Sequence, residues 1–250
     1  MKFKTALYLV PIPISEAPVS DVIPSGNIVI LRQLRHFIVE NVRSARRYLR
    51  HVDPSFPIAD CTFSVLDRHT PPEEVADMLR PLRDGFPMGV MSEAGCPAVA
   101  DPGSHPVEIA QREGLTVVPL VGPSSVLMAL MASGFNGQGF SFHGYLPIDD
   151  ADRRKTIRRL ETESASRLMT QIFIETPYRN NRMLDTLART LSPSTMICVA
   201  CDISDPEHER IESAQAREWM KRKYDFDKRP AIFLIYAGAK GGDARRYERK

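Results

Sequence analysis

Between Val90 and Gly114 the chain reads VMSEAGCPAVADPGSHPVEIAQREG, with an acid, glycines and prolines packed in just after an apolar run. Glu93, Gly95, Pro97, Asp101 and Gly103 fall in the loop, and the pattern that follows is helical up to Gly114. Glycine lets backbone N–H and C=O groups approach a ligand closely. A carboxylate accepts hydrogen bonds from a ribose diol or an amine and favours a nearby cation. The loop therefore has the chemistry to hold a small charged ligand; a Gly/Pro turn with solvated acids is the plain alternative.

Three other stretches carry similar chemistry. VGPSS places Ser124 and Ser125 at the start of a helical pattern, where hydroxyls either cap the helix or bind a carboxylate. FIETPYRNN leaves Glu175, Thr176, Tyr178 and Arg179 at the end of an apolar run, with Pro177 suited to open a helix; Arg179 reads equally as one half of an ion pair or as a site residue. ENVR contributes Glu40 and Arg43. Two basic runs stand out, Arg32, Arg35, Arg43, Arg46, Arg47 and Arg50, and then Arg153, Arg154, Lys155, Arg158 and Arg159. Such runs are usually solvated helix faces, and beside a site they can track phosphates.

Apolar β-branched runs alternate with helical patterns. Strands are expected at 5–10, 36–40, 61–66, 87–92 and 115–121, and then at 140–146, 168–175, 195–203 and 229–238. Helices are expected at 42–50, at PPEEVADMLRPLRDG, at SHPVEIAQREG with Ser104 as N-cap, from Ser124 or Ser125 to Gly134, and at DRRKTIRRLETE, RNNRMLDTLARTL and AQAREWMKRK. Pro24 and Gly26 are expected to break the stretch after the first strand. The alternation indicates an α/β class with a mostly parallel sheet, the second half repeating the mixture. The expected division is an N-terminal α/β domain at 1–121, a C-terminal α/β domain at 122–238 and a disordered basic tail at 239–250. Ligands of open α/β sheets bind outside the carboxyl ends of the strands, which selects PIPIS, ENVR, SEAGCPAVADPG and VGPSS; two α/β halves also place a ligand cleft between them.

The bulk numbers exclude more than they assign. A chain of 250 residues with 43% hydrophobic residues builds a substantial core, and a net charge of +2 is too small to argue for nucleic acid by itself. No apolar run reaches the roughly 18 residues of a membrane span, and MKFKTALYLVPIPIS reads as a first strand rather than a signal peptide. The four scattered cysteines fit a reducing cytoplasm. Cys198 and Cys201 form a C-x-x-C pair inside a strand pattern, where i and i+3 point to opposite faces, so no metal is expected there, and the six histidines lack ligand spacing. Walker A, G-x-G-x-x-G, H-E-x-x-H and G-x-S-x-G patterns are absent.

In order along the chain, LYLVPIPI, VMSEAGCPAVADPG, VVPLVGPSSVLMALMASG, FHGYLP and IFIETPYRN resemble the motifs of the tetrapyrrole methylase family, the class III S-adenosylmethionine (SAM) methyltransferases. The match spans about residues 5–238 and is nearest the branch that 2′-O-methylates a cytidine ribose in small-subunit ribosomal RNA. That resemblance implies two α/β domains with SAM bound in the cleft between them, a homodimer, an RNA substrate and no metal. Carried over by position, it puts Pro11, Glu93, Gly95, Ser124 and Ser125 in the SAM site with Ile174 and Glu175 close by, and it gives ACDIS and RPAIF backbone contacts around the adenine.

Several motifs depart from the branch pattern. Glu93 and Cys96 replace its Asp and Thr in S-D-A-G-T-P; PIPISEAP lacks the Gly-Asn of P-I-G-N-L; ENVR keeps only the Glu and Arg of E-D-T-R; ACDIS replaces A-R-E-L-T. The sequence also stops without the added C-terminal segment of many members. Methyl transfer is an in-line displacement that needs alignment and, for a hydroxyl or amine acceptor, a proton acceptor. Glu40, Arg43, Asp101, Glu175 and Arg179 are the polar candidates, and the sequence assigns no general base among them. Glu93 and the Ser124–Ser125 pair are expected to govern cofactor affinity, Arg43 and Arg179 the acceptor. Two alternatives stay open: a non-catalytic RNA-binding or assembly protein on this scaffold, and a methylase of a small tetrapyrrole-like molecule.

Overall fold

The computed structural model describes residues 3–238, so the expected tail at 239–250 lies outside the described residues. The chain forms two compact units, one up to Ser124 and one from Ser125 onward. Gly122, Pro123 and Ser124, at the head of the second half in the sequence reading, group with the first unit. The Cys96 thiol contacts the Pro123 carbonyl at 3.3 Å, and a Cβ on Gly122 would overlap the Pro11 ring.

The first unit is built on strands β1 (Leu7–Leu9), β2 (His36–Val39), β3 (Thr62–Val65), β4 (Met88–Met91) and β5 (Val117–Pro119). They form one sheet in the order β3-β2-β4-β1-β5, with every pairing parallel. Its helices are α1 (Val19–Val22), α2 (Ser25–Leu31), α3 (Val42–Val52), α4 (Pro72–Met78), α5 (Arg80–Arg83) and α6 (Ser104–Arg112). Pro24 separates α1 from α2 as its missing N–H requires, whereas Gly26 sits inside α2 and breaks nothing.

Both faces of this sheet are covered, which explains why its strands read as nearly continuous apolar runs. Successive side chains serve opposite cores. Tyr8, Phe37 and Val39 pack with Leu49 and Ala45 of α3, while Leu7, Ile38 and Val90 pack with Val75 of α4 and Ile109 of α6. One cap differs from expectation. Gly103, not Ser104, is the N-cap of α6, and the Gly103 N–H donates to Asp101 Oδ1 at 2.7 Å.

The second unit contains α7 (Ser125–Ser133), β6 (Phe140–Tyr145), α8 (Asp150–Arg167), β7 (Thr170–Ile174), α9 (Asn180–Thr190), β8 (Met196–Cys201), β9 (Arg210–Gln215), α10 (Ala216–Trp219) and β10 (Ala231–Tyr236). The sheet order is β6-β7-β10-β8-β9. Only β6–β7 is parallel; the other pairings are antiparallel, so the parallel expectation fails here. The cause is β9, a strand the sequence reading absorbed into loop and helix. RIESAQ is charged and weakly apolar, as suits an edge, and its Arg210 stacks over Phe226 at 4.8 Å and pairs with Glu212. The expected helix AQAREWMKRK shrinks to the four residues of α10. The core lies between the sheet and α8, α9 and α10, with Phe173 stacked on Phe233 and the Trp219 indole donating to the Ile197 carbonyl. Cys198 and Cys201 are free, buried thiols in β8, each pushed up to about 11 by burial.

Candidate functional site

In the first unit the loops after β1, β2 and β4 are fastened to one another at the carboxyl end of the sheet. Ile12 and Gly95 form an isolated antiparallel bridge, with N–H to O distances of 3.0 and 3.2 Å in the two directions. Gly95 has φ +73°, which favours glycine, and a Cβ there would lie a tight 3.2 Å from Ile14 Cγ2. Pro11 is buried, and Tyr48 Oη of α3 donates to its carbonyl at 3.4 Å; burial pushes that phenol up to about 12.

The loop after β4 is also tied to β2 and α3. The Glu93 backbone N–H donates to Glu40 Oε1 at 3.1 Å, and the Ser44 hydroxyl donates to Glu93 Oε2 at 2.9 Å. Ser44 stands in the first turn of α3 because Asn41 caps that helix, its Oδ1 accepting from the N–H groups of Arg43 and Ser44 at 2.8 and 3.3 Å. The ENVR stretch thus works as strand end, cap and helix start. Ser44 is the residue the sequence reading missed; its position three residues past a capping Asn was the available signal.

Asp101 holds the far end of the same loop. Its Oδ1 accepts from the Ala98 and Gly103 N–H groups at 2.9 and 2.7 Å, whereas Oδ2 is buried without a partner. A Cβ on Gly103 would approach Asp101 Oδ1 to 2.7 Å. Ala98 and Ala100 both adopt the left-handed region, with φ of 68° and 64°. Two non-glycine residues in that region within three positions mark stored strain, which concentrates at ligand-holding loops.

Burial raises the Glu40 carboxyl above its usual value, the Glu93 N–H opposes this, and the nearby Asp101 and Glu93 charges raise it further. Burial likewise raises Asp101 against its backbone hydrogen bonds. Glu40, Glu93 and Asp101 have no cationic partner among the described residues. Glu40 and Asp101 share the wall of a small open recess with Val39, Met91 and Gly103.

The first unit therefore gathers Pro11, Glu40, Glu93 and Gly95 into one hydrogen-bonded region, with Arg43 exposed at the start of α3 and Ser124 half-buried before α7. In the second unit Ser125 opens α7, Ile174 ends β7 and Glu175 follows it. Glu175 is buried and paired with Arg179 at 2.6 Å, and its Oε1 also accepts the Thr176 N–H at 2.6 Å. Arg179 is the ion-pair half that its spacing allowed. No group of three or more metal-ligating side chains occurs among the described residues.

No protein-family model matches the chain. The ribosomal RNA small subunit methyltransferase I of Vibrio cholerae is 29% identical over 240 residues, 95% of this chain and 79% of that protein. The protein of the same name from Escherichia coli O157:H7 is 28% identical over 92% of this chain and 77% of its own length. For the Pseudomonas aeruginosa protein of that name the figures are 32%, 73% and 59%. Among solved structures, the methyltransferase CobJ superposes with a TM-score of 0.60 at 17% identity, covering 92% of this chain and 93% of that one. The chain shares the fold of that methyltransferase. A second neighbour, the uroporphyrin-III C-methyltransferase of Thermus thermophilus complexed with S-adenosylhomocysteine, gives a TM-score of 0.52 at 18% identity over 92% of this chain and 97% of its own.

Proposed function

We propose that the chain is a SAM-dependent methyltransferase whose acceptor is a ribose 2′-hydroxyl of small-subunit ribosomal RNA. The observation that carries this reading is the strand-end network Ile12–Gly95, Glu93–Glu40 and Ser44–Glu93. It is supported by similarity, along 95% of this chain and 79% of the relative, to a protein named for ribosomal RNA methylation.

The residues present fit the cofactor. A sulfonium, an ammonium and a ribose diol seek carboxylates, and the region offers three without cationic partners, one with a buried unpaired oxygen. When bound, the cofactor supplies an activated methyl group. Glu93 binds it, held in place through its own N–H by Glu40 and through its carboxylate by Ser44. Glycine at 95 and 103 lets the loop pack closely against Ile14 and the Asp101 carboxylate. Ser124 lines the cofactor, as its motif position implies.

Glu40 takes the acceptor proton. One of its oxygens orients the loop, the other carries no hydrogen bond, and its raised affinity for protons brings it nearer the working pH of a general base. Glu175 is unsuited to that task because it is buried against Arg179. A homodimer and a cytoplasmic location complete the proposal; among the described residues no helix is long and apolar enough to cross a membrane. Incubating the protein with methyl-labelled SAM and small-subunit ribosomal RNA tests the reading. Label in the RNA supports it, and cofactor binding without label in any RNA contradicts it.

A further inference from the structure

The two basic runs of the sequence turn out to be different objects. On α8, Arg153 and Arg154 both pair with Asp150, and Arg159 pairs with Glu163. Three of the five cations in that run therefore meet an acid of their own helix. On α3 there is nothing comparable, because its eleven residues VRSARRYLRHV contain four arginines and no acid.

At about 100° per residue, Arg43, Arg46, Arg47 and Arg50 fall within an arc of roughly 100° on the helix circumference. The opposite side carries Ala45 and Leu49, both buried in the core. Arg46 lies over the Phe63 ring at 5.2 Å, which gives it a structural use. Arg43, Arg47 and Arg50 are exposed and form no ion pair among the described residues. The nearest acid in sequence beyond the helix, Asp53, is paired with Arg32. Arg43 also sits in the first turn, where the helix dipole disfavours a cation. Crowding like charges on one face and placing one at the wrong helix end both cost folding stability, and an anionic partner offsets that cost.

The position of this face names the partner. The same helix starts next to Glu40 and sends Ser44 to Glu93. We propose that the exposed face of α3 is a phosphate track for the RNA strand that carries the methyl acceptor. The proposal rests on the RNA methyltransferase reading and adds the surface that holds the substrate. Three guanidiniums spaced about one helical turn apart neutralise backbone phosphates and release counterions, so binding is sequence-independent there and falls steeply with salt.

The test is fluorescence anisotropy of a labelled single-stranded RNA of mixed sequence over a KCl series, with full-length protein. In Arg47→Gln/Arg50→Gln, the slope of log K against log salt should flatten by about 1.4, two phosphates at roughly 0.7 each for a single strand. Arg47→Lys/Arg50→Lys should keep the wild-type slope, and so should Lys155→Gln/Arg158→Gln on α8. S-adenosylhomocysteine affinity should be equal in all four proteins, which establishes that the folds are intact. An unchanged slope in the α3 glutamine variant, an equal flattening in the α8 variant, or no RNA binding by wild type overturns the proposal. A slope that depends on α3 in a protein that never methylates RNA upholds the track and sinks the methyltransferase reading instead.

Discussion

Glu40 Oε1 accepts the backbone N–H of Glu93 at 3.1 Å, so the end of β2 fixes the first residue of the loop that leaves β4 beyond Ser92. The same carboxyl stands close enough to Asp101 and Glu93 for their charges to raise its affinity for protons. In the proposed function this one side chain both shapes the loop after β4 and accepts the proton, and the two tasks separate by substitution.

Glu40→Gln keeps the acceptor oxygen and loses the base. Cofactor affinity should stay within a few-fold, while kcat falls by roughly 10²- to 10⁴-fold, the usual contribution of a general base. In the wild type, kcat should rise with pH as the carboxyl ionises. Because burial raises its value above the ordinary 4.5, that limb should lie at higher pH than for an unperturbed glutamate. Steady-state kinetics across pH read both effects; an unchanged kcat in the variant removes Glu40 as the base.

Asp101 is predicted to stabilise by its geometry and to destabilise by its charge. Asp101→Ala strands the Ala98 and Gly103 N–H groups and should cost about 2 kcal/mol, within the usual range for unsatisfied buried donors. Asp101→Asn keeps the accepting oxygen. The folded carboxyl has a raised value, so the native state binds the proton more readily and wild-type stability falls as pH rises through the window above 3.8. The asparagine variant should therefore compare best with wild type at neutral pH and lose ground as the pH drops below the carboxylate range. Urea unfolding at several pH values measures this.

Gly122→Ala should displace the loop after β1, because the added Cβ would overlap the rigid Pro11 ring. Overpacking of this kind typically costs about 1–3 kcal/mol. Since Pro11 leads directly into the Ile12–Gly95 bridge, cofactor affinity should fall along with Tm. A variant with lowered Tm and unaltered affinity would show that the bridge is not part of the binding region.

Arg179→Ala leaves Glu175 buried without its partner and should destabilise by about 2–3 kcal/mol, somewhat below a fully buried pair because Arg179 is 30% exposed. The double change Arg179→Ala/Glu175→Gln should recover part of that loss, a coupling that a double-mutant cycle in urea reads directly.

Much of this was legible in the sequence, and the exceptions have physical causes. The parallel first sheet announced itself because strands buried on both faces are continuous apolar runs, as in LYL and MGVM. β9 did not, because an edge strand such as RIESAQ has one open side and carries arginine and glutamate there. The loops after β1, β2 and β4 could be picked by their position at strand ends, and Gly95 by its type. Ser44 was missed, since finding it requires reading Asn41 as the cap that sets the phase of α3. Nor could the two basic runs be told apart, because charge neutralisation depends on which acids share a helix face.

The most direct test of the central claim is isothermal titration of SAM and S-adenosylhomocysteine into the wild-type protein and into Glu93→Ala. Wild type should bind both, and the variant should bind SAM at least about 10-fold more weakly, the loss of one charge-assisted contact of roughly 1.4 kcal/mol or more. Equal affinities in the two proteins, or no heat from either ligand with wild type, would contradict the account.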